Sequence, residues 1–280
     1  MTTCLRVAAF SIALLIGSAT GHSVADHDLS GTVVELETPL ASSQPLQGYL
    51  RQPAGASISP AVVLLHSCNG NWLRLDERWG KRIASWGYVT LAVDSFGPRG
   101  LENTCAGSGP TDLAFDGYRA LKFLVQRSFV DPDRVAVVGF SQGGGIALNS
   151  VERGAVERSS LSKFRAAAAF YPRCLGVRGN MTVPTLVMVG ELDDWTPAGD
   201  CRNLVEGRDD WGISRQKDEG VPIRLVVYPG AYHAFDAPNL KTPARWLGHR
   251  LEFNQSAADQ SVDALREFLY ATIGGKGQTK

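Results

Sequence analysis

A serine hydroxyl is a weak nucleophile until a base sits within hydrogen-bond reach and an acid orients that base. This chain offers those three residue types in separate, well-marked places. Ser141 stands in Gly139-Phe140-Ser141-Gln142-Gly143, directly after the apolar run Val135-Ala136-Val137-Val138 and before a helix-like segment. A serine on such a strand-to-helix turn is held in a strained conformation, and the flanking glycines allow close packing. Asp193, in Gly190-Glu191-Leu192-Asp193-Asp194, follows the apolar run Thr185–Val189. His233, in Tyr232-His233-Ala234-Phe235, follows Ile223–Tyr228 and the Pro229-Gly230 turn. Each residue thus ends its own apolar run, in the chain order nucleophile, acid, base. Asp194 is the rival acid. Asp193 lies nearer the strand end, whereas Asp194 suits the cap of a helix starting near Pro197. His27, His66 and His249 lack the position of His233 after a final strand.

Acyl transfer also needs donors for the developing oxyanion. The N–H of Gln142, just after the nucleophile, is one candidate. The other is the N–H of Cys68, in the loop His66-Ser67-Cys68-Asn69-Gly70 after the run Ala61–Leu65. A disulfide at Cys68 would hold that donor in place.

The elements that must position these residues read as an alternation of strands and helices. Gly31–Glu37 and Leu46–Arg51 open the chain as strands. Continuous apolar runs follow at Ala61–Leu65, Tyr88–Val93, Val135–Val138, Ala166–Phe170, Thr185–Val189 and Ile223–Tyr228, as expected of strands buried on both faces. Ala114, Tyr118, Leu121 and Val125 share one helical face, as do Ala258, Val262, Leu265 and Leu269, with Ser256 and Asp259 as a capping box. The expected architecture is α/β, with a mostly parallel central sheet and helices on both faces. In such sheets functional residues gather at the carboxyl ends of the strands.

The N-terminus reads as an export signal over residues 1–25. Arg6 precedes the apolar run Val7–Ile16, too short to span a bilayer, and Ser23-Val24-Ala25 offers small residues for cleavage. Residues 26–280 are then expected to form a single domain with no integral membrane span. Cys4 leaves with the signal, and Cys68, Cys105, Cys174 and Cys201 remain. An even count in an oxidising compartment suggests two disulfides. We favour Cys68–Cys105 with Cys174–Cys201, each joining neighbouring strand-end loops. No C-x-x-C spacing or histidine cluster points to a metal. With 28 basic and 28 acidic residues and no basic stripe, nothing suggests a nucleic-acid partner.

Together these residues resemble the dienelactone hydrolases, within the α/β-hydrolase fold. The resemblance is carried by Asp131-Pro132-Asp133-Arg134 leading into the Ser141 elbow and by Asp94-Ser95-Phe96-Gly97-Pro98-Arg99-Gly100. It is also carried by Gly190–Asp193 with Pro197, and by Tyr232–Phe235. It spans about residues 60 to 236. It implies hydrolysis of small carboxylic esters or lactones through an acyl-enzyme, without a cofactor, and places the catalytic acid at Asp193. Ser141 stands where the founding members carry cysteine, and those members are intracellular. Arg99 falls where the family can place an arginine facing a substrate carboxylate, with a structural salt bridge within its loop as the other reading. Trp72, Phe96 and Trp195 are candidate pocket walls. Two other readings share the fold: a serine peptidase related to prolyl oligopeptidases, whose elbow looks similar, and a non-catalytic binding protein. The peptidase reading expects a propeller domain that this chain lacks, and the binding reading has no need of a full triad.

Overall fold

A computed structural model describes residues 1, 30–37, 45–53, 55, 58–107, 113–208 and 219–274. The signal-like segment lies outside the described residues. Eight strands form one sheet: β1 (Gly31–Leu36), β2 (Leu46–Arg51), β3 (Ser59–Leu65), β4 (Val89–Asp94), β5 (Val130–Phe140), β6 (Ala166–Phe170), β7 (Thr185–Gly190) and β8 (Ile223–Tyr228). Their order is β1-β2-β4-β3-β5-β6-β7-β8. β1–β2 and β2–β4 pair antiparallel, and every other neighbour pairs parallel. The apolar runs from Ala61 to Val189 are central strands, and every residue of β3, β4, β6 and β7 is buried. Ile223–Tyr228, expected to be buried on both faces, is instead the edge strand β8, only partly buried because no strand among the described residues pairs with its outer side.

Alternate side chains leave each strand on opposite faces, so helices must cover both. Ala61, Val63 and Leu65 of β3 meet α3 (Leu113–Val125), α4 (Gln142–Val151) and α6 (Ala198–Glu206) in one core layer. Val62 and Leu64 meet the other layer, built by α7 (Gln255–Ile273) and a helix over residues 72–85. That second helix runs as α1 (Trp72–Leu75), a π-helical stretch Asp76–Gly80 and α2 (Lys81–Ser85). A short α5 (Ala155–Arg158), a hairpin of β9 (Ala244–Trp246) and β10 (His249–Leu251), and two 3-10 turns, Gly97–Arg99 and Pro238–Leu240, complete the elements among the described residues.

Two local expectations are corrected. The capping residue of α7 is Asn254, whose side chain accepts from the Ala257 N–H at 3.0 Å, rather than a box of Ser256 and Asp259. The helix begins one residue before Ser256, so the box is out of phase with it. β5 begins at Val130, five residues before its apolar run, and its pairing with β3 shifts register between Ser59 and Ala61. Pro132 has no N–H to give the ladder there.

Candidate active site

The site is assembled at the carboxyl ends of β3, β5, β7 and β8. At the end of β5, Ser141 adopts φ 54° and ψ −114°, a strained geometry for an L-residue. A Cβ on Gly139 would collide with the Gly143 carbonyl, and one on Gly143 with the Leu65 and His66 carbonyls. Only glycine fits at these two places, and α4 therefore starts immediately beside the serine. Its first N–H groups and its dipole face whatever charge develops on an atom attached to Ser141.

Asp193, His233 and Ser141 come together from three loops. His233 Nε2 lies 3.0 Å from Ser141 Oγ, and its Nδ1 lies 2.8 Å from Asp193 Oδ2. All three side chains are buried. Asp193 Oδ1 accepts from the N–H groups of Trp195 (2.9 Å) and Thr196 (2.8 Å), which fixes the carboxylate against rotation. The Thr196 hydroxyl lies 2.9 Å from Asp193 Oδ2, 3.1 Å from the Tyr171 carbonyl and 3.2 Å from His233 Nδ1. Tyr171, just past β6 at φ 36°, packs its ring 4.7 Å from the imidazole.

Behind the imidazole lies a polar brace. Asp236 accepts from the Tyr171 hydroxyl and from Trp79 Nε1, each at 2.7 Å, and pairs with Arg78 at 3.4 Å. Burial, reinforced by the Asp236 charge, raises the Tyr171 hydroxyl well above the usual phenol range, so it stays a donor. Burial pulls Arg78 down, but Asp236 and Tyr171 more than offset it and the guanidinium remains charged. The segment carrying His233 is thereby tied to the 72–85 helix.

Asp194 is not the cap that the sequence suggests. The capping position of α6 is Pro197, which makes no side-chain cap bond. Asp194 instead accepts from the Arg250 N–H at 3.0 Å and so anchors β10. It points away from His233, whose partner is Asp193.

On the other side of Ser141, Cys68 lies in the loop after β3. Among the described residues, neither the Cys68 nor the Gln142 N–H has a protein acceptor. Cys68 is bonded to Cys105, and Cys174 to Cys201, the pairing favoured from the sequence. The Thr104 N–H also donates to the Cys68 carbonyl at 2.8 Å, and the Thr104 hydroxyl meets the Gln142 side chain at 3.0 Å.

Ser141, His233, Cys68, Cys105, Tyr171 and Trp195 open on a cavity of about 650 Å³. Three residues expected to face substrate, Arg99, Trp72 and Phe96, do not line it. Arg99 is turned away by a two-pronged pair with buried Asp116, at 2.8 and 3.0 Å, and by a bond to the Ser95 carbonyl. Trp72 is not among the residues that the 72–85 helix and its cap turn to the cavity, which are Asn71, Arg74, Leu75, Glu77 and Arg78. Phe96 is buried edge-on against His66. Sequence reasoning missed Thr196, Tyr171 and Asp236. Tyr171 had a legible signal, since it directly follows an apolar run; the other two are recognisable only once their partners are placed.

The dienelactone hydrolase family model matches residues 46–272. The chain belongs to the dienelactone hydrolase family. Among curated relatives, Lipase 1 of Moraxella sp. (strain TA144) is 30% identical over 115 residues, covering 41% of this chain and 33% of that lipase. A probable 2-oxo-3-(5-oxofuran-2-ylidene)propanoate lactonase of Bradyrhizobium sp. is 25% identical over 202 residues, covering 67% of this chain and 77% of the lactonase. In fold, an esterase of Thermogutta terrifontis superimposes with a TM-score of 0.64 at 18% identity, over 89% of this chain and 95% of the esterase. The fold is the α/β-hydrolase fold, as the sequence implied.

Proposed function

We propose that this member of the family is an exported serine hydrolase that cleaves small carboxylic esters or lactones through an acyl-enzyme on Ser141. The observation that carries this reading is the unbroken contact from Asp193 through His233 to a strained Ser141 that opens on the cavity. Ser141 Oγ attacks the carbonyl while His233 Nε2 takes its proton. Asp193 holds the imidazole with Nδ1 protonated and stabilises the imidazolium that forms. The N–H groups of Gln142 and Cys68 receive the oxyanion. His233 then protonates the leaving alcohol, or the ring oxygen of a lactone, and later activates the water that releases the acid. The similarity to the Bradyrhizobium probable lactonase makes a lactone a reasonable first substrate. Two disulfides support export to an oxidising compartment.

The test is hydrolysis of p-nitrophenyl acetate and a small lactone by wild type, Ser141→Ala and His233→Ala, with a fluorophosphonate probe alongside. Turnover that falls by about 10⁴-fold or more in each variant, with probe label on Ser141 alone, is expected. Equal turnover in wild type and Ser141→Ala, or a label elsewhere, overturns it.

A further inference from the structure

The β9–β10 hairpin stands out because its base and its tip obey opposite rules. The base is fixed to the catalytic loops. Leu251 bridges to His233, the Glu252 N–H donates to the His233 carbonyl at 3.3 Å, and the Arg250 N–H is held by Asp194. His249 stacks on Trp195 at 5.1 Å and 10°, and Trp195 in turn lies 5.1 Å from the His233 ring.

The tip has no such support. Residues 241–248 are all exposed, with Trp246 at 50% and Leu247 at 53%. Trp246 pairs with His249, leaving Leu247 and Gly248 as a two-residue turn at φ 51° and 88°. A turn with positive φ at both positions favours Asn-Gly or Asp-Gly. Leucine there accepts backbone strain and places an apolar side chain in water, so neither local conformation nor packing accounts for it. Trp246, Arg245 and Ala244 also line the cavity, which makes the tip continuous with its mouth. Exposed Lys241, Arg245 and Arg74 lie on the tip or the cavity lining, and none has a carboxylate partner among the described residues.

From this we infer that the hairpin tip is a docking surface for undissolved ester. Leu247 and Trp246 enter the apolar phase, and the cations meet carboxylates that hydrolysis leaves at its surface. The inference rests on the ester-hydrolase reading of Ser141 and names the physical state of the substrate that the reading leaves open.

Leu247→Asn is the informative variant, because asparagine suits the turn and removes only the apolar side chain. Two measurements test the proposal. Adsorption to a tributyrin emulsion is read by centrifugation in a Ser141→Ala background, which needs no catalysis. Rates are read on tributyrin through its solubility limit, and on dissolved p-nitrophenyl acetate. Expected are a rate that rises above the solubility limit, adsorption about tenfold weaker in Leu247→Asn, and an unchanged rate on the dissolved ester. Absence of adsorption by the parent protein, or equal adsorption with and without Leu247, overturns it. A Ser141 that fluorophosphonate fails to label overturns the hydrolase reading instead, and the adsorption result still decides the docking surface.

Discussion

The two disulfides close loops of similar length, 37 and 27 residues apart in sequence, yet they sit in opposite settings. Cys174–Cys201 is buried in a core layer, joining the segment after β6 to α6. That junction is already secured, because the Tyr171 N–H donates to the Met188 carbonyl and the Thr196 hydroxyl meets the Tyr171 carbonyl. Cys68–Cys105 lines the cavity and joins two partly exposed loops with few other bonds between them. The same covalent link is therefore redundant for geometry in one place, whereas in the other it acts with the Thr104 bond to tie down the loop of a proposed oxyanion donor.

Breaking each bridge separates the two roles. Chain entropy gives both pairs a stability loss of about 3–4 kcal/mol when replaced by serines. Only the Cys68→Ser/Cys105→Ser protein should also lose kcat, by about tenfold, since loosening a donor costs less than deleting it. Cys174→Ser/Cys201→Ser should keep kcat within about twofold of wild type. Urea denaturation with steady-state kinetics reads both quantities, and a matching kcat loss in the two proteins would erase the distinction.

Arg99 sharpens the same contrast, because it lies between the two ends of the cavity-side loop and is nonetheless a structural residue. Asp116, fully buried, is pushed above the usual carboxylate range by desolvation, against the pull of Arg99. Arg99→Met leaves that carboxylate with Arg119 at 3.0 Å, so a loss of about 3 kcal/mol is expected at neutral pH. The loss should shrink as acid protonates Asp116, because the neutral carboxyl no longer needs its cation. KM for a carboxylate-bearing ester should stay as it is. A raised KM with stability intact would return Arg99 to the substrate.

What could be read from the sequence follows the same division. The central strands were legible because burial on both faces leaves a continuous apolar run, as in Ala166–Phe170. Ser141, Asp193 and His233 were legible because each sits in the loop just after such a run. The 72–85 helix was not, since its buried face mixes Leu75, Trp79 and Ile83 with a charged Asp76 and with Gly80. Asp236 acts through partners distant in sequence, as Trp79 and Asp236 are 157 residues apart, and Thr196 joins Asp193 to the distant Tyr171 and His233. Arg99 stayed open between substrate and a salt bridge for the same reason: its sequence position gives the loop, and only Asp116 gives the direction.

The cavity-side loop also carries a buried histidine of its own, whereas residues 171–208, which hold the other bridge, contain none. His66 Nε2 accepts from the Ser95 N–H at 3.2 Å, while Nδ1 donates to the Ser67 carbonyl at 2.8 Å. Burial lowers its affinity for a proton, with the Ser67 bond opposing. In the unfolded chain His66 takes a proton near pH 6.5, and in the folded protein only at lower pH. Stability is therefore unaffected by this group above that value, falls as pH drops through it, and levels off once the folded form also protonates. The slope cannot exceed about 1.4 kcal/mol per pH unit for one proton. Denaturation of wild type and His66→Gln between pH 7.5 and 5 should show the wild type losing more over that interval. Glutamine keeps a donor and an acceptor but does not titrate, so equal losses would place the acid sensitivity outside the cavity-side loop and remove this difference between the two regions.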